Sequence, residues 1–212
     1  MNRNFQMNFP TRGVYILTPE PAPTLDELEE KITAAIRAGA AVVQYRSKRS
    51  NRLKRMEEAG ALLSLCHAHG VPFIINDDVE LAVQLNADGV HVGKEDATPQ
   101  SVRRELGPQA IIGVSCYDSV TRAVAATKTG ADYIALGSFF PSKTKPGAPR
   151  CTKEVLKNVA ARVRLPVVAI GGITPENAAE LLTCGADLLA VVNGVFAASD
   201  VYGATQKYTK LF

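Results

Sequence analysis

The chain has 212 residues, 46% of them hydrophobic and 21% charged, a profile of ordinary globular domains that excludes disordered and collagen-like architectures. A formal charge of +3 permits anionic ligands without demanding nucleic acid. Cys66, Cys116, Cys151 and Cys184 include no Cys-x-x-Cys pair, so a reduced, cytoplasmic protein is expected rather than a disulfide-stapled one.

Residues 1–10, with Asn2, Asn4, Gln6 and Asn8, lack the apolar core of a secretory leader, and 1–12 reads as a flexible or accessory segment. The first strand candidate is Val14–Thr18. Leu25, Leu28, Ile32 and Ile36 then give a helix one apolar face, opened by Thr24 and Glu27 as a capping box. Val42–Arg46 is the second strand candidate. Six of the ten residues from Arg46 to Arg55 are basic, but no aromatic follows Tyr45, so the run reads as a solvated helix face rather than a nucleic-acid patch. His67 and His69 fall about 200° apart around a helix and are assigned to the surface. Phe73–Asn76 and Gly89–Val92 come next, with His91 read as a satisfied wall residue. Ile111–Ser115, Tyr133–Gly137, Val167–Ile170 and Leu188–Val192 complete eight strand candidates. Thr98-Pro99 and Thr174-Pro175 mark helix starts by placing an N-cap before proline. The hydrophobic stretch from Leu188 to Ala198 is broken by Asn193 and Gly194 and falls short of the roughly 20 residues of a membrane span.

The strands are counted out in pairs. Gly39-Ala40, Asn86-Ala87-Asp88, Gly130-Ala131-Asp132 and Gly185-Ala186-Asp187 precede the second, fourth, sixth and eighth, each reading as a helix closed in the left-handed conformation. This predicts a single-domain α/β protein over 1–212, a (β/α)8 TIM barrel. An open doubly wound sheet is the rival, disfavoured by the strand count and by the lack of a glycine-rich nucleotide turn after the first strand.

In a barrel, ligands meet the C-terminal ends of the strands. Gln44 and Arg46 share one face of the second strand, in the run Gln44-Tyr45-Arg46-Ser47-Lys48. Asn76-Asp77-Asp78 ends the third strand, and Gly93-Lys94-Glu95-Asp96 follows the fourth. Strands lie about 4.8 Å apart, so Asp77 and Asp96 could converge on magnesium, which favours a phosphate-bearing ligand; capping of the next helix by Asp77 or Asp78 is the equal alternative. Ser115 ends the fifth strand, and Ser142, Thr144 and Lys145 lie in a long loop after the sixth, with Lys145 able to reach a phosphate. Gly171-Gly172 and Asn193-Gly194 end the last two strands, the usual phosphate corner of this fold. Two arcs result, the first suited to a metal-bound diphosphate and the second to a monophosphate. By itself this spacing reaches only magnesium-assisted joining or splitting of two phosphorylated small molecules.

Six segments in order resemble the motifs of the thiamine phosphate synthase family: Gln44 to Lys48, Ile75 to Asp78, Gly89 to Asp96, Gly113 to Ser115, Pro141 to Lys145 and Ala169 to Ile173. The resemblance implies a transferase of thiamine biosynthesis. It would join a hydroxymethylpyrimidine diphosphate to a thiazole phosphate and release diphosphate through a dissociative displacement. It further implies that Gln44, Tyr45, Arg46, Ser47, Lys48, Asn76, Ser115 and Lys145 hold the pyrimidine diphosphate. Arg46, Lys48, Ser115 and Lys145 would carry the catalysis, and Asp77 and Asp96 would bind magnesium. Ser142, Lys143, Thr144, Gly172, Val192 and Asn193 would receive the thiazole phosphate. The chain departs from the family pattern at Lys94, where glutamine is more usual, Ser142, where threonine is common, and Asn193, where serine often stands. The rivals are a thiazole tautomerase-like isomerase and a non-catalytic phosphate sensor. The expected partners are small phosphorylated molecules, with no nucleic acid and no membrane, and self-association stays open.

Overall fold

A computed structural model describes residues 7–48, 51–141 and 149–212. Its strands are β1 (Gly13–Leu17), β2 (Ala40–Tyr45), β3 (Phe73–Asn76), β4 (Gly89–Val92), β5 (Ile111–Tyr117), β6 (Tyr133–Leu136), β7 (Val167–Ile170) and β8 (Leu188–Val191). They pair in parallel in sequence order, and β8 closes onto β1, so the structure is the barrel and not the open sheet. Around it run α1 (Leu25–Arg37), α2 (Arg52–Ala68), α3 (Val79–Leu85), α4 (Pro99–Leu106), α5 (Val120–Ala126), α6 (Lys153–Arg162) and α7 (Pro175–Thr183). After β8 come the short α8 (Asn193–Phe196) and α9 (Val201–Thr209). Among the described residues no helix is long and apolar enough to cross a membrane.

The two-residue period of each strand divides the apolar side chains between two cores. Val14, Ile16, Val43, Tyr45 and Phe73 pack outward against the helices, whereas Tyr15, Leu17, Val42, Ile74, Tyr133 and Val168 fill the barrel. The helices start where their caps lie: the side chains of Thr24, Asp78 and Thr98 accept from the N–H groups of Glu27, Leu81 and Ser101. Asn86 takes the left-handed conformation expected of it, with φ 51°, as do Gly39, Gly130 and Gly185.

The paired repeat has a further cause that its spacing did not reveal. Asp88, Asp132 and Asp187 each stand just before an even-numbered strand, and each carboxylate accepts from a backbone N–H on the preceding odd strand: Phe73 at 2.8 Å, Ile112 at 2.7 Å and Val167 at 2.8 Å. Three parallel pairs are thereby locked in register at the floor of the barrel, the end away from the ligand rim. Residues 7–12 also attach there. Phe9 stacks on Tyr133 with ring centroids 4.0 Å apart, and the Arg12 guanidinium lies 5.5 Å from the Phe212 ring.

Five strands end differently from expectation: β1, β6 and β8 each stop one residue early, at Leu17, Leu136 and Val191, and β2 and β5 depart for reasons visible in their hydrogen bonds. β2 stops at Tyr45, one residue before Arg46, because Arg46 turns its backbone to a side chain: its N–H donates to Thr18 Oγ1 at 2.8 Å and its carbonyl accepts from that hydroxyl at 2.9 Å. β5 continues past Ser115 to Tyr117, with a register shift against β6 between those two residues.

Candidate functional site

At the C-terminal ends of the strands the barrel opens into a pocket of about 820 Å³. Gln44, Arg46, Asn76, His91 and Ser115 line one side of it, and Gly172, Val192 and Asn193 the other. A second pocket of about 300 Å³ adjoins it, lined by Tyr45, Arg46, Ser47, Lys48, Asn76, Asp77 and Asp78. Arg46 and Asn76 border both. Most of the expected first arc thus gathers around two connected hollows, one broad and largely apolar, the other narrow and charged.

Three anchors hold this arc. Thr18, buried at the end of β1, grips the Arg46 backbone from both sides, and Glu20 Oε1 accepts from the Lys48 N–H at 2.6 Å. Arg122, in the first turn of α5, reaches back so that Nε donates to the Ser115 carbonyl at 2.6 Å and Nη2 to the Gly93 carbonyl at 3.0 Å. That fork ties the end of β5 to the turn that carries Asp96. Neither Thr18 nor Arg122 stood out in the sequence, since a threonine at a strand end and an arginine on a helix are commonplace. What singles them out is reach across strands 28 and 29 positions away.

The Tyr45 side chain faces away from the barrel interior. Its hydroxyl donates to Glu58 Oε2 at 2.8 Å, within the layer between β2 and α2. Gln44 points inward and is 3% exposed, and its Nε2 donates to Tyr15 Oη at 2.8 Å. His91 is 7% exposed and satisfied as expected, with Nδ1 2.9 Å from Tyr133 Oη and Nε2 2.8 Å from Ser115 Oγ. Burial pushes the Tyr15 and Tyr133 phenols well above the ordinary tyrosine range, so both are neutral near pH 7.

Of the two adjacent acids, Asp78 is the cap. Its Oδ1 accepts from the Leu81 N–H at 3.0 Å, and its Oδ2 lies 3.3 Å from Arg55 Nη2. Asp77 is directed elsewhere. Its φ is 63°, its N–H donates to the His91 carbonyl at 2.9 Å, and its Oδ2 accepts from Asn76 Nδ2 at 2.6 Å. On the neighbouring strand end, Asp96 Oδ2 folds back to accept from the Gly93 N–H at 2.7 Å. Asp77 and Asp96 therefore follow two directly paired strands. Two hard carboxylates there fit magnesium, which commonly takes one or two protein carboxylates and completes its shell with water and phosphate oxygens. Among the described residues no group of three or more His, Cys, Asp or Glu side chains gathers to hold a metal, so water and ligand oxygens would complete its shell. Lys94 Nζ lies 3.8 Å from Glu95 Oε1, on the exposed side of this turn.

The second arc is built from backbone. Gly172 has φ 62°, and a Cβ placed on it would stand 2.4 Å from the Pro141 carbonyl oxygen, so a side chain here would be strained and would clash. Phe140 N–H donates to the Gly171 carbonyl at 3.0 Å and Asn177 Nδ2 to the Gly172 carbonyl at 3.1 Å, which pins the turn after β7. Val192 and Asn193 continue β8 into α8 at the pocket wall. Ser142, Lys143, Thr144 and Lys145 lie outside the described residues.

Comparison with known proteins places this architecture in a family. The model of the thiamine monophosphate synthase family matches residues 14–195. The chain belongs to that family. It is 47% identical over 201 residues to a thiamine-phosphate synthase of Azoarcus sp., covering 95% of this chain and 97% of that one. A thiamine-phosphate synthase of Methylococcus capsulatus is 43% identical over 212 residues, covering 100% and 94%. Among solved structures, a thiamine phosphate pyrophosphorylase from Pyrococcus furiosus superposes with a TM-score of 0.82 at 33% identity, covering 95% of each chain. The protein is accordingly a transferase, and the family match runs from β1 into α8.

Proposed function

We propose that this enzyme condenses 4-amino-2-methyl-5-(diphosphooxymethyl)pyrimidine with thiazole phosphate, giving thiamine phosphate and diphosphate in the presence of magnesium. The observation that carries the reading is the pair of adjoining pockets, one broad enough for two heterocycles and one narrow, basic and acid-edged, meeting at Arg46 and Asn76.

The pyrimidine ring lies against Gln44, Asn76 and Ser115, and its diphosphate extends toward Arg46, Ser47 and Lys48, with Tyr45 in the wall behind them and Lys145 contributing a further positive charge. Ser142, Lys143 and Thr144, with Gly172, Val192 and Asn193, receive the thiazole phosphate. Asp77 and Asp96 would hold magnesium, which when bound would supply positive charge to the departing diphosphate. In the reaction the methylene C–O bond breaks and its electron pair leaves with the diphosphate. The thiazole nitrogen then gives its lone pair to the resulting methylene cation, forming the C–N bond. No proton has to be removed, so no general base is needed. Arg46, Lys48 and Lys145 act by stabilising charge on the leaving group, and preorganised electrostatics of this kind commonly contribute more to catalysis than any other single effect. The reading requires no nucleic acid or membrane and suits a cytoplasmic enzyme.

The test is to incubate the purified protein with both substrates and magnesium and to look for thiamine phosphate by mass. Its appearance with stoichiometric diphosphate supports the reading. Isomerisation of the thiazole alone, or binding without turnover, would replace it with a tautomerase or a sensor.

A further inference from the structure

Beneath the ligand rim the inner wall carries a run of polar side chains, of which the reading above uses only the two ends. Gln44 on β2, Tyr15 on β1, Tyr133 on β6, His91 on β4 and Ser115 on β5 touch in that order, at 2.8, 2.7, 2.9 and 2.8 Å. The run crosses the barrel bore rather than following any strand, and four of its five members are less than 9% exposed. Room for its central link comes from Gly113, where a Cβ would stand 2.0 Å from the Tyr133 ring and 2.5 Å from His91 Nδ1. Below, Phe9 lies parallel to the Tyr133 ring, with 1° between planes, and supports it from the floor.

Counting donors gives this run a direction. Gln44 Nε2 can only donate, so Tyr15 Oη accepts there and its own proton goes to its other partner, Tyr133 Oη. Tyr133, having accepted, donates to His91 Nδ1. That leaves Nδ1 without a proton, so a neutral His91 carries its hydrogen on Nε2 and donates to Ser115 Oγ. The Ser115 proton is then released toward the pocket, which Ser115 lines. The opposite sense would set the Tyr15 hydroxyl proton against an amide N–H inside the core, an unsatisfied buried donor.

We propose that Tyr15, Tyr133 and His91 are positioning residues that form a one-way hydrogen-bond chain, fixing His91 as the Nε2–H tautomer and presenting the Ser115 hydroxyl as a donor to a lone pair on the bound ligand, such as a ring nitrogen. The role of Ser115 as a ligand contact rests on the function proposed above; the tautomer does not. The high, burial-driven affinity of both phenols for their protons keeps the two middle links neutral.

The experiment is nitrogen-15 NMR of ligand-free protein labelled at histidine, at neutral pH, with the His91 signal assigned by its loss in His91→Gln. Long-range nitrogen–proton correlations distinguish the tautomers. The expected result is Nε2–H, with the preference weakened in Tyr133→Phe. In steady-state assays Tyr133→Phe should lower kcat about tenfold with both KM values within about twofold, the scale of one buried hydrogen bond. His91→Gln, which keeps a donor near the Nε2 position, should retain more turnover than His91→Leu. An Nδ1–H tautomer in the unaltered protein would mean that the chain runs the other way and would overturn the proposal. So would an unchanged kcat in a folded Tyr133→Phe. If Tyr133→Phe does not fold, the spectrum of the unaltered protein decides alone. The Nε2–H tautomer in a protein that forms no thiamine phosphate would support the chain while removing the functional reading.

Discussion

In the function proposed above, the two arcs of the rim handle anions by different means. From β2 to β5 the chain offers side chains: Arg46, Lys48, Asp77 and Ser115, each on a backbone anchored elsewhere, and Asp96, whose carboxylate folds back on the Gly93 N–H. From β7 to β8 it offers shape, a glycine turn at φ 62° pinned through its carbonyls by Phe140 and Asn177. The difference teaches what each arc should tolerate. A side-chain arc fails when charge is deleted and survives small changes of volume. A backbone arc depends less on any single charge and fails when a single methyl is added.

The largest expected effect is on the charged side. Asp77→Asn and Asp96→Asn each remove one anionic oxygen while keeping the local hydrogen bonds, and asparagine tolerates the positive φ of position 77. Turnover should fall on the order of 10²- to 10³-fold with thermal unfolding nearly unchanged. Global unfolding would show these acids to be structural. Next, Arg46→Ala should cost roughly 10- to 100-fold in kcat/KM for the pyrimidine diphosphate, the worth of a charge-assisted contact, and leave the KM for thiazole phosphate in place. On the backbone side, Gly172→Ala should invert that pattern. A left-handed alanine costs about 1–2 kcal/mol before its clash with Pro141 is counted, and its kinetic signature should be a raised KM for the monophosphate substrate. Equal effects of Gly172→Ala on both KM values would dissolve the distinction between the arcs. Smallest is Tyr45→Phe, which loses the buried bond to Glu58: about 1 kcal/mol of stability in denaturant unfolding and no change in kinetics. A kinetic defect there would place the hydroxyl on the ligand side after all.

What could be read from the sequence was what depends on period and punctuation. Branched runs separated by capped amphipathic helices gave the barrel, and polar residues ending those runs gave the rim, because a strand that leaves the core must change from apolar to polar at that point. The contest between Asp77 and Asp78 could not be decided that way. Both precede a helix start, and only coordinates show that Asp78 takes the Leu81 N–H while Asp77 turns back toward β4. The polar run across the bore was equally hidden. Tyr15 and Tyr133 are separated by 118 positions and look like ordinary core aromatics until barrel closure brings their hydroxyls within 2.7 Å. Asp88, Asp132 and Asp187 were visible as a repeat, but their work as register locks depends on the stagger of neighbouring strands, which no single-strand pattern encodes.

The central claim is that the carboxylates after β3 and β4 act together on one divalent cation. Manganese is a spectroscopic substitute for magnesium, and its binding can be followed by electron paramagnetic resonance in the presence of inorganic diphosphate. The account predicts a protein-bound manganese signal with diphosphate present, lost in both Asp77→Asn and Asp96→Asn. Undiminished binding in the two variants would contradict it.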